Sequence, residues 1–111
     1  MSETFFYLTT TGRRTGKPHK IEIWFVEHDG CYFLCSGNGT GADWVKNILA
    51  NPGVTYHLGT SIAHKPKQNH TGRGKILDQE ANDTLRQEIR DLFLNKYSWG
   101  SGLFVQICPE P

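Results

Sequence analysis

Apolar and polar residues alternate along several short stretches of the chain, and two other stretches switch to the helical period. Thr4 to Thr10 is rich in aromatic and β-branched residues, a strand composition. Pro18 to Glu27 alternates, with Ile21, Ile23 and Phe25 on one face and Glu22, Trp24 and Val26 on the other. Glu27 to Gly30 contains Asp29-Gly30, a strong signal for a two-residue hairpin turn, so Cys31 to Ser36 reads as the returning strand. Val54 to Leu58 and Leu103 to Cys108 read as further strands. These strands are apolar at nearly every position, which predicts cover on both faces.

The helical period appears first at Trp44, Val45, Ile48 and Leu49. Thr40 and Asp43 fit a capping box ahead of it, and Pro52 stops it, so this helix is short. The segment before it, Gly37 to Gly41, is too rich in glycine for regular structure. Leu85, Ile89, Leu92, Phe93 and Tyr97 form one apolar stripe of a longer helix, capped by Asp78 and ended by Gly100 and Gly102. Ser61 to Leu77 reads as two strand pieces around a mobile basic loop at Pro66 to Thr71. Strands joined by tight turns are antiparallel, and a small sheet of them closes to remove its edges. The pattern predicts a mainly β (α+β) domain, a small antiparallel barrel with helices over its openings.

Length changes this picture little: 111 residues predict one domain, 1–111. No apolar run reaches the ~20 residues of a membrane helix. The N-terminus shows no basic segment followed by an apolar stretch, so no secretory leader is expected. Three cysteines, an odd number without a scaffold pattern, fit buried thiols in a reducing, cytoplasmic setting. Cys31 and Cys35 would lie ~13 Å apart on a strand, too far to share a zinc, and the histidines show no ligand spacing, so no metal is expected. His19 and His57 read as surface strand positions. Asn38, Asn69 and Asn82 head glycosylation triplets that read as chance.

Charge is more informative in its distribution than in its total. The net formal charge is +1, which argues against a nucleic-acid partner. Arg13, Arg14, Lys17 and Lys20 form one basic cluster, and Lys65, Lys67, Arg73 and Lys75 another. Local cationic patches in a near-neutral chain suit a small anionic ligand better than a polyanion.

The first cluster sits in a loop, Gly12-Arg-Arg-Thr-Gly16-Lys17. It is not a nucleotide P-loop: the glycines are too close, Pro18 follows the lysine, and a strand follows instead of a helix. Its chemistry is nonetheless that of an anion site. Glycines free backbone N–H groups, arginine grips phosphate or carboxylate with paired hydrogen bonds, and Thr9, Thr10, Thr11 and Thr15 add hydroxyls. Gly37, Gly39 and Gly41 lead toward a helix N-terminus, a second place for an anion or carbonyl oxygen. In a small barrel the two turns can flank one groove. A solvated hairpin loop and a flexible connection are the plain alternatives.

"LTTTGRRTGKPHKIEIWFV" (Leu8 to Val26), "SGNGTGADWVKNILANPGVTYHLG" (Ser36 to Gly59) and "NKYSWG" (Asn95 to Gly100) together resemble the deazaflavin (F420)-dependent nitroreductase and quinone reductase family. The resemblance covers most of the chain. It implies a split antiparallel β-barrel of about six strands that binds coenzyme F420, with FMN used by some relatives. It assigns the coenzyme's phosphate and acidic tail to Arg13, Arg14, Thr15, Gly16 and Lys17. It sets Ser36, Gly37, Asn38 and Gly39 beside the phosphate and ring, with Trp44 and Asn47 matching the family's helix positions and Trp24 a strand aromatic near the ring.

The implied reaction is hydride transfer from reduced F420 to a quinone, nitro compound or activated alkene. The coenzyme supplies reactivity and the protein supplies binding and orientation, so no catalytic triad is required. Ser36, Tyr32 and Tyr97 are candidate donors to the acceptor oxygen, with Tyr97 or water delivering a proton. Trp99, beside a glycine-rich turn, is a candidate pocket wall. An FMN-binding reductase of the same barrel and a non-catalytic cofactor carrier are the alternatives. A single-strand nucleic-acid barrel is disfavoured by the near-neutral charge. Apolar outer strand faces suit a homodimer.

Overall fold

The computed structural model describes residues 5–59, 70–77, 83–99 and 102–110. In chain order these form β1 (Phe5–Thr11), β2 (Pro18–Ile23), β3 (Phe25–His28), β4 (Cys31–Ser36), α1 (Asp43–Ala50), β5 (Gly53–Gly59), β6 (His70–Ile76), α2 (Asp83–Tyr97) and β7 (Leu103–Pro109). The strands make one sheet in the order β2-β1-β5-β6-β7-β4-β3, antiparallel at every pairing.

That order dictates the shape. β2 and β3 are the two edges of the sheet, yet in sequence only Trp24 separates them. The sheet must therefore curl until its edges approach, which makes a split barrel. The single alternating strand expected over Pro18 to Glu27 is two strands for this reason. β2 pairs with β1 through Ile23↔Phe6, and β3 pairs with β4 from Phe25↔Leu34. The expected alternation survives the break: Phe25 lies with Ile21 and Ile23 in one cluster, and Val26 lies in the other.

Two cores follow from the period of two. On one face Phe6, Leu8, Leu34, Val105 and Ile107 pack with Val45 and Ile48 of α1. On the other Phe33, Cys35 and Phe104 pack with Ile89 and Phe93 of α2. Neighbours in β4 and β7 thus serve opposite faces, and burial of each large side chain is worth roughly 1.5–3 kcal/mol. α1 sits so close to β6 that a Cβ on Gly74 would lie 2.7 Å from Ile48 Cγ2. The Asp29-Gly30 turn has both residues at positive φ, 54° and 80°, as a primed hairpin turn requires.

Several expectations need correction. Ala42, not Thr40, is the N-cap of α1, and no side chain caps it. Gly39–Gly41 is a short 3-10 turn, so part of the glycine-rich segment is regular. His70 and Thr71 belong to β6 and not to a loop, because they pair with Tyr56 and Thr55. The rest of that loop, the first of the two strand pieces, the Asp78 cap and Gly100 lie outside the described residues. His57 is buried and stacks on Tyr7 at 4.8 Å, so it is not a surface position.

The cysteine reading also changes. Cys31 and Cys108 face each other across β4 and β7, one step beyond the Tyr32↔Ile107 pair, and form a disulfide across 77 positions of sequence. Spacing along the chain carried no sign of it. With two of three thiols paired, the cysteine argument for a reducing compartment falls. Cys35 is the free, buried thiol. No helix among the described residues is long and apolar enough to cross a membrane.

Candidate functional site

The basic loop is held in one shape by its own backbone. Gly12 N–H donates to the Lys17 carbonyl at 2.8 Å, and Gly16 N–H donates to the Gly12 carbonyl at 2.9 Å. Gly16 has φ 73°, where side chains are disfavoured. Gly12 is buried against its neighbours, and a Cβ there would lie 2.8 Å from His19 Nε2. Thr15 Oγ1 accepts from the Lys17 N–H at 3.3 Å.

α1 meets this loop through Asn47 and Asp43, one helical turn apart on the same face. Asn47 is buried, and its Oδ1 accepts from the Arg13 backbone N–H at 3.2 Å and from Arg13 Nη1 at 2.9 Å. Its Nδ2 donates to Thr10 Oγ1 at 3.1 Å. Thr10 points inward because Leu8 does, two residues earlier on β1. Arg13 Nη2 lies 3.4 Å from Asp43 Oδ1, whose side chain is 85% exposed.

Between loop, β2 and α1 opens a cavity of about 560 Å³. Arg13, Arg14, Thr15, His19 and Lys20 line it from the loop and β2, and Asp43, Trp44 and Asn47 line it from α1. Three permanent cations face one carboxylate, so the cavity is cationic. It offers hydrogen-bond donors and an indole wall to an anion.

A second cavity, of about 250 Å³, lies further along β2 and is lined by Phe5, Glu22, Ile23, Trp24, Cys35 and Trp99. Trp24 stacks on Tyr97 at 4.4 Å with the rings parallel, and meets Trp99 edge-on at 6.2 Å. Burial pushes the Cys35 thiol up to about 11, against a smaller pull from Arg90.

The sequence-predicted residues thus divide. Arg13, Arg14, Thr15, Trp44 and Asn47 share the cationic cavity; Gly16 and Lys17 belong to the loop beside it. Trp24 lies at the aromatic cavity. Ser36 is buried and its Oγ donates to the Gly39 carbonyl at 2.9 Å, bracing the turn that contains Gly37 and Asn38. That turn lies beside Trp99, which a Cβ on Gly37 would meet at 3.4 Å, and does not line the cationic cavity. Tyr97 Oη donates to the Phe25 carbonyl at 3.0 Å and accepts the Phe25 N–H at 3.2 Å. Tyr32 lies against Phe6, Phe25 and Tyr56. Burial, and then Glu27, raise its pKa.

His19 and Asp43 were absent from the sequence-derived site, whereas Lys20 belonged to the expected basic cluster and Thr10 to the expected loop hydroxyls. Asp43 had a signal: it stands four residues before Asn47 on one helix face. Among the described residues no three His, Cys, Asp or Glu side chains converge as a metal site.

The profile of a family described as F420H(2)-dependent quinone reductase matches residues 2–98. Among solved structures the chain is similar to the heme storage protein HutZ from Vibrio cholerae, with TM-score 0.75 and 15% identity over 96% of this chain and 82% of that one. A FAD-binding protein from Mesorhizobium loti gives TM-score 0.68 and 15% identity, covering 98% and 83%. An F420-H2 dependent reductase, FDR-A, gives TM-score 0.65 and 21% identity, covering 96% and 93%. At such identities these likenesses establish the split-barrel fold.

Proposed function

The chain belongs to the F420H(2)-dependent quinone reductase family, and on that premise we propose that it is an F420-dependent oxidoreductase that passes hydride to a quinone, nitro compound or activated alkene. The observation that carries this reading is the cationic cavity between the basic loop and α1. F420 carries a phosphate and an acidic tail. Three cations, the Thr15 hydroxyl and a braced glycine loop are the donor set such a group requires. The residues present fit the coenzyme.

Arg13, Arg14 and Lys20 hold the anionic end, with Gly16 and Lys17 shaping the loop and Trp44 forming the wall. When bound, the coenzyme supplies hydride from its C5 position. The two cavities take consecutive residues of the chain, His19 to Ile21 of β2 for the first, then Glu22 and Ile23 of β2 with Trp24 just beyond it for the second. In this reading the ring of a ligand anchored at the first cavity lies toward Trp24, whose indole is backed on one face by Tyr97. Ser36 and Tyr97 are bracing groups in this reading, because their hydroxyl protons are bonded to the carbonyls of Gly39 and Phe25. The proton that accompanies hydride to the acceptor oxygen comes from water.

FMN remains the alternative cofactor because it presents a phosphate to the same donors, and a FAD-binding protein shares the fold. Storage or carriage is the alternative function, and a heme storage protein shares the fold as well. Titration with F420 and with FMN, followed by ring fluorescence, separates the cofactors; quenching by F420 alone is expected. Turnover of menadione or a nitroaromatic with reduced F420 separates enzyme from carrier. Tight binding of FMN without binding of F420 refutes the coenzyme assignment.

A further inference from the structure

The side chain that matches the family's helix asparagine has little left to offer a ligand. Asn47 Oδ1 has two lone pairs, and both are directed to Arg13, one to its backbone N–H and one to Nη1. One Nδ2 hydrogen goes to Thr10 Oγ1, which is itself buried. We infer that Asn47 is a positioning residue: it clamps Arg13 at backbone and tip together, so that the guanidinium stands in the cationic cavity already ordered for an anionic group. This rests on the proposed function for the identity of the anion, a phosphate or carboxylate of the coenzyme.

The geometry explains why one amide suffices. The loop from Gly12 to Lys17 closes on itself through two backbone bonds, and neither involves Arg13. The Arg13 peptide N–H is therefore available to α1, and Asn47 takes it. Binding Nη1 as well fixes the whole length of a side chain that otherwise samples many rotamers. Asp43 holds the other terminal nitrogen only loosely, at 3.4 Å and in solvent. An anion arriving at the cavity then meets an arginine whose ordering cost has already been met by the fold. Asn47 also ties this arrangement to the core, since its neighbour Ile48 packs against Gly74 of β6.

The test is a double-mutant cycle on F420 affinity with wild type, Arg13→Ala, Asn47→Ala and the double variant, with melting temperature followed in parallel. Loss of Arg13 should weaken binding about thirtyfold, the scale of a charge-assisted hydrogen bond. Loss of Asn47 should weaken it about tenfold, the scale of ordering a free arginine on binding. The double variant should match Arg13→Ala within about twofold, because Asn47 acts through Arg13. Two losses that multiply, or an Asn47→Ala protein with wild-type affinity and only a lower melting temperature, overturn the inference. A second readout needs neither variants nor coenzyme. In the wild-type protein the Arg13 Nη resonances should show restricted rotation by nitrogen-detected NMR. Freely averaged Arg13 resonances overturn the clamp even if F420 binds. Failure of wild type to bind F420, with Arg13 restricted, removes the coenzyme assignment and leaves the clamp standing.

Discussion

Replacing Tyr97 by Phe separates a brace from a proton donor. β3 is an edge strand, and its outward backbone groups at Phe25 are closed by α2. Tyr97 Oη takes the Phe25 N–H and donates to the Phe25 carbonyl, which Lys96 Nζ also reaches at 2.9 Å. Without the hydroxyl the carbonyl keeps Lys96, but the N–H loses its acceptor in a partly buried position. Such a loss costs about 1–2 kcal/mol. The ring stays, so the stack on Trp24 and the contact with Phe93 are retained. For a domain of this size the melting temperature should fall by roughly 5–10 °C. Calorimetry measures that, and steady-state reduction of menadione by reduced F420 measures the chemistry. The turnover number of the folded variant should stay within about twofold of wild type, because a proton donor of the general acid type is worth about a hundredfold or more. A hundredfold slower turnover at an unchanged melting temperature would refute the reasoning and make Tyr97 the acid.

Other consequences can be checked in the same preparations. Asp43→Asn removes the carboxylate that competes for Arg13 Nη2, so F420 affinity should rise about two- to fourfold, an exposed-pair effect that shrinks in high salt. Cys108→Ser opens the bridge to Cys31 and should lower stability to denaturant by about 2–4 kcal/mol, given the long loop it closes. The Cys35 thiol sits at about 11 in the fold against an ordinary value of 9.0. The folded state holds this proton more tightly than the unfolded one, so the contribution is complete below pH 9 and is lost as pH rises toward 11. Chemical denaturation at pH 8, 9 and 10 should show that decline, and Cys35→Ala should show a shallower one, because Tyr7, Tyr32 and Tyr56, also raised by burial, titrate only toward the top of the range. Native protein at pH 8 should also resist alkylation at Cys35.

The sequence disclosed those parts of the fold whose cause is local. The Asp29-Gly30 turn follows from its two residues, and the α2 stripe at Ile89 and Phe93 follows from a period that packing then used. The alternation of Ile21, Ile23 and Phe25 was visible because this stretch turns those three toward one core and leaves Glu22 to solvent. What stayed hidden depends on closure. Trp24 interrupts a strand only because β2 and β3 pair at opposite edges of the sheet, which no local pattern records. The Cys31–Cys108 bond depends on β4 lying beside β7, two elements 77 positions apart at the cysteines. Thr40 looked like a cap, but the 3-10 turn puts Ala42 there instead.

The site divides along the same line. The cationic character of Gly12 to Lys17 was legible from composition, and its partner was not. The glycine-rich turn at Gly37 to Gly39 was the expected companion, since glycines before a helix suggest exposed N–H groups. The actual companion is the helix face bearing Asp43 and Asn47, which needs the crossing of α1 over β1 to be seen. Lys20 and His19 join because they follow the loop onto β2, a consequence of the hairpin register Thr9↔Lys20 and Thr10↔His19.

The most direct measurement is a crystal structure of this protein with F420 bound. The account predicts the coenzyme's phosphate or acidic tail within about 3 Å of Arg13 or Arg14, with Arg13 still held by Asn47. A coenzyme whose anionic groups lie elsewhere, with the space between the basic loop and α1 filled only by solvent, would contradict it.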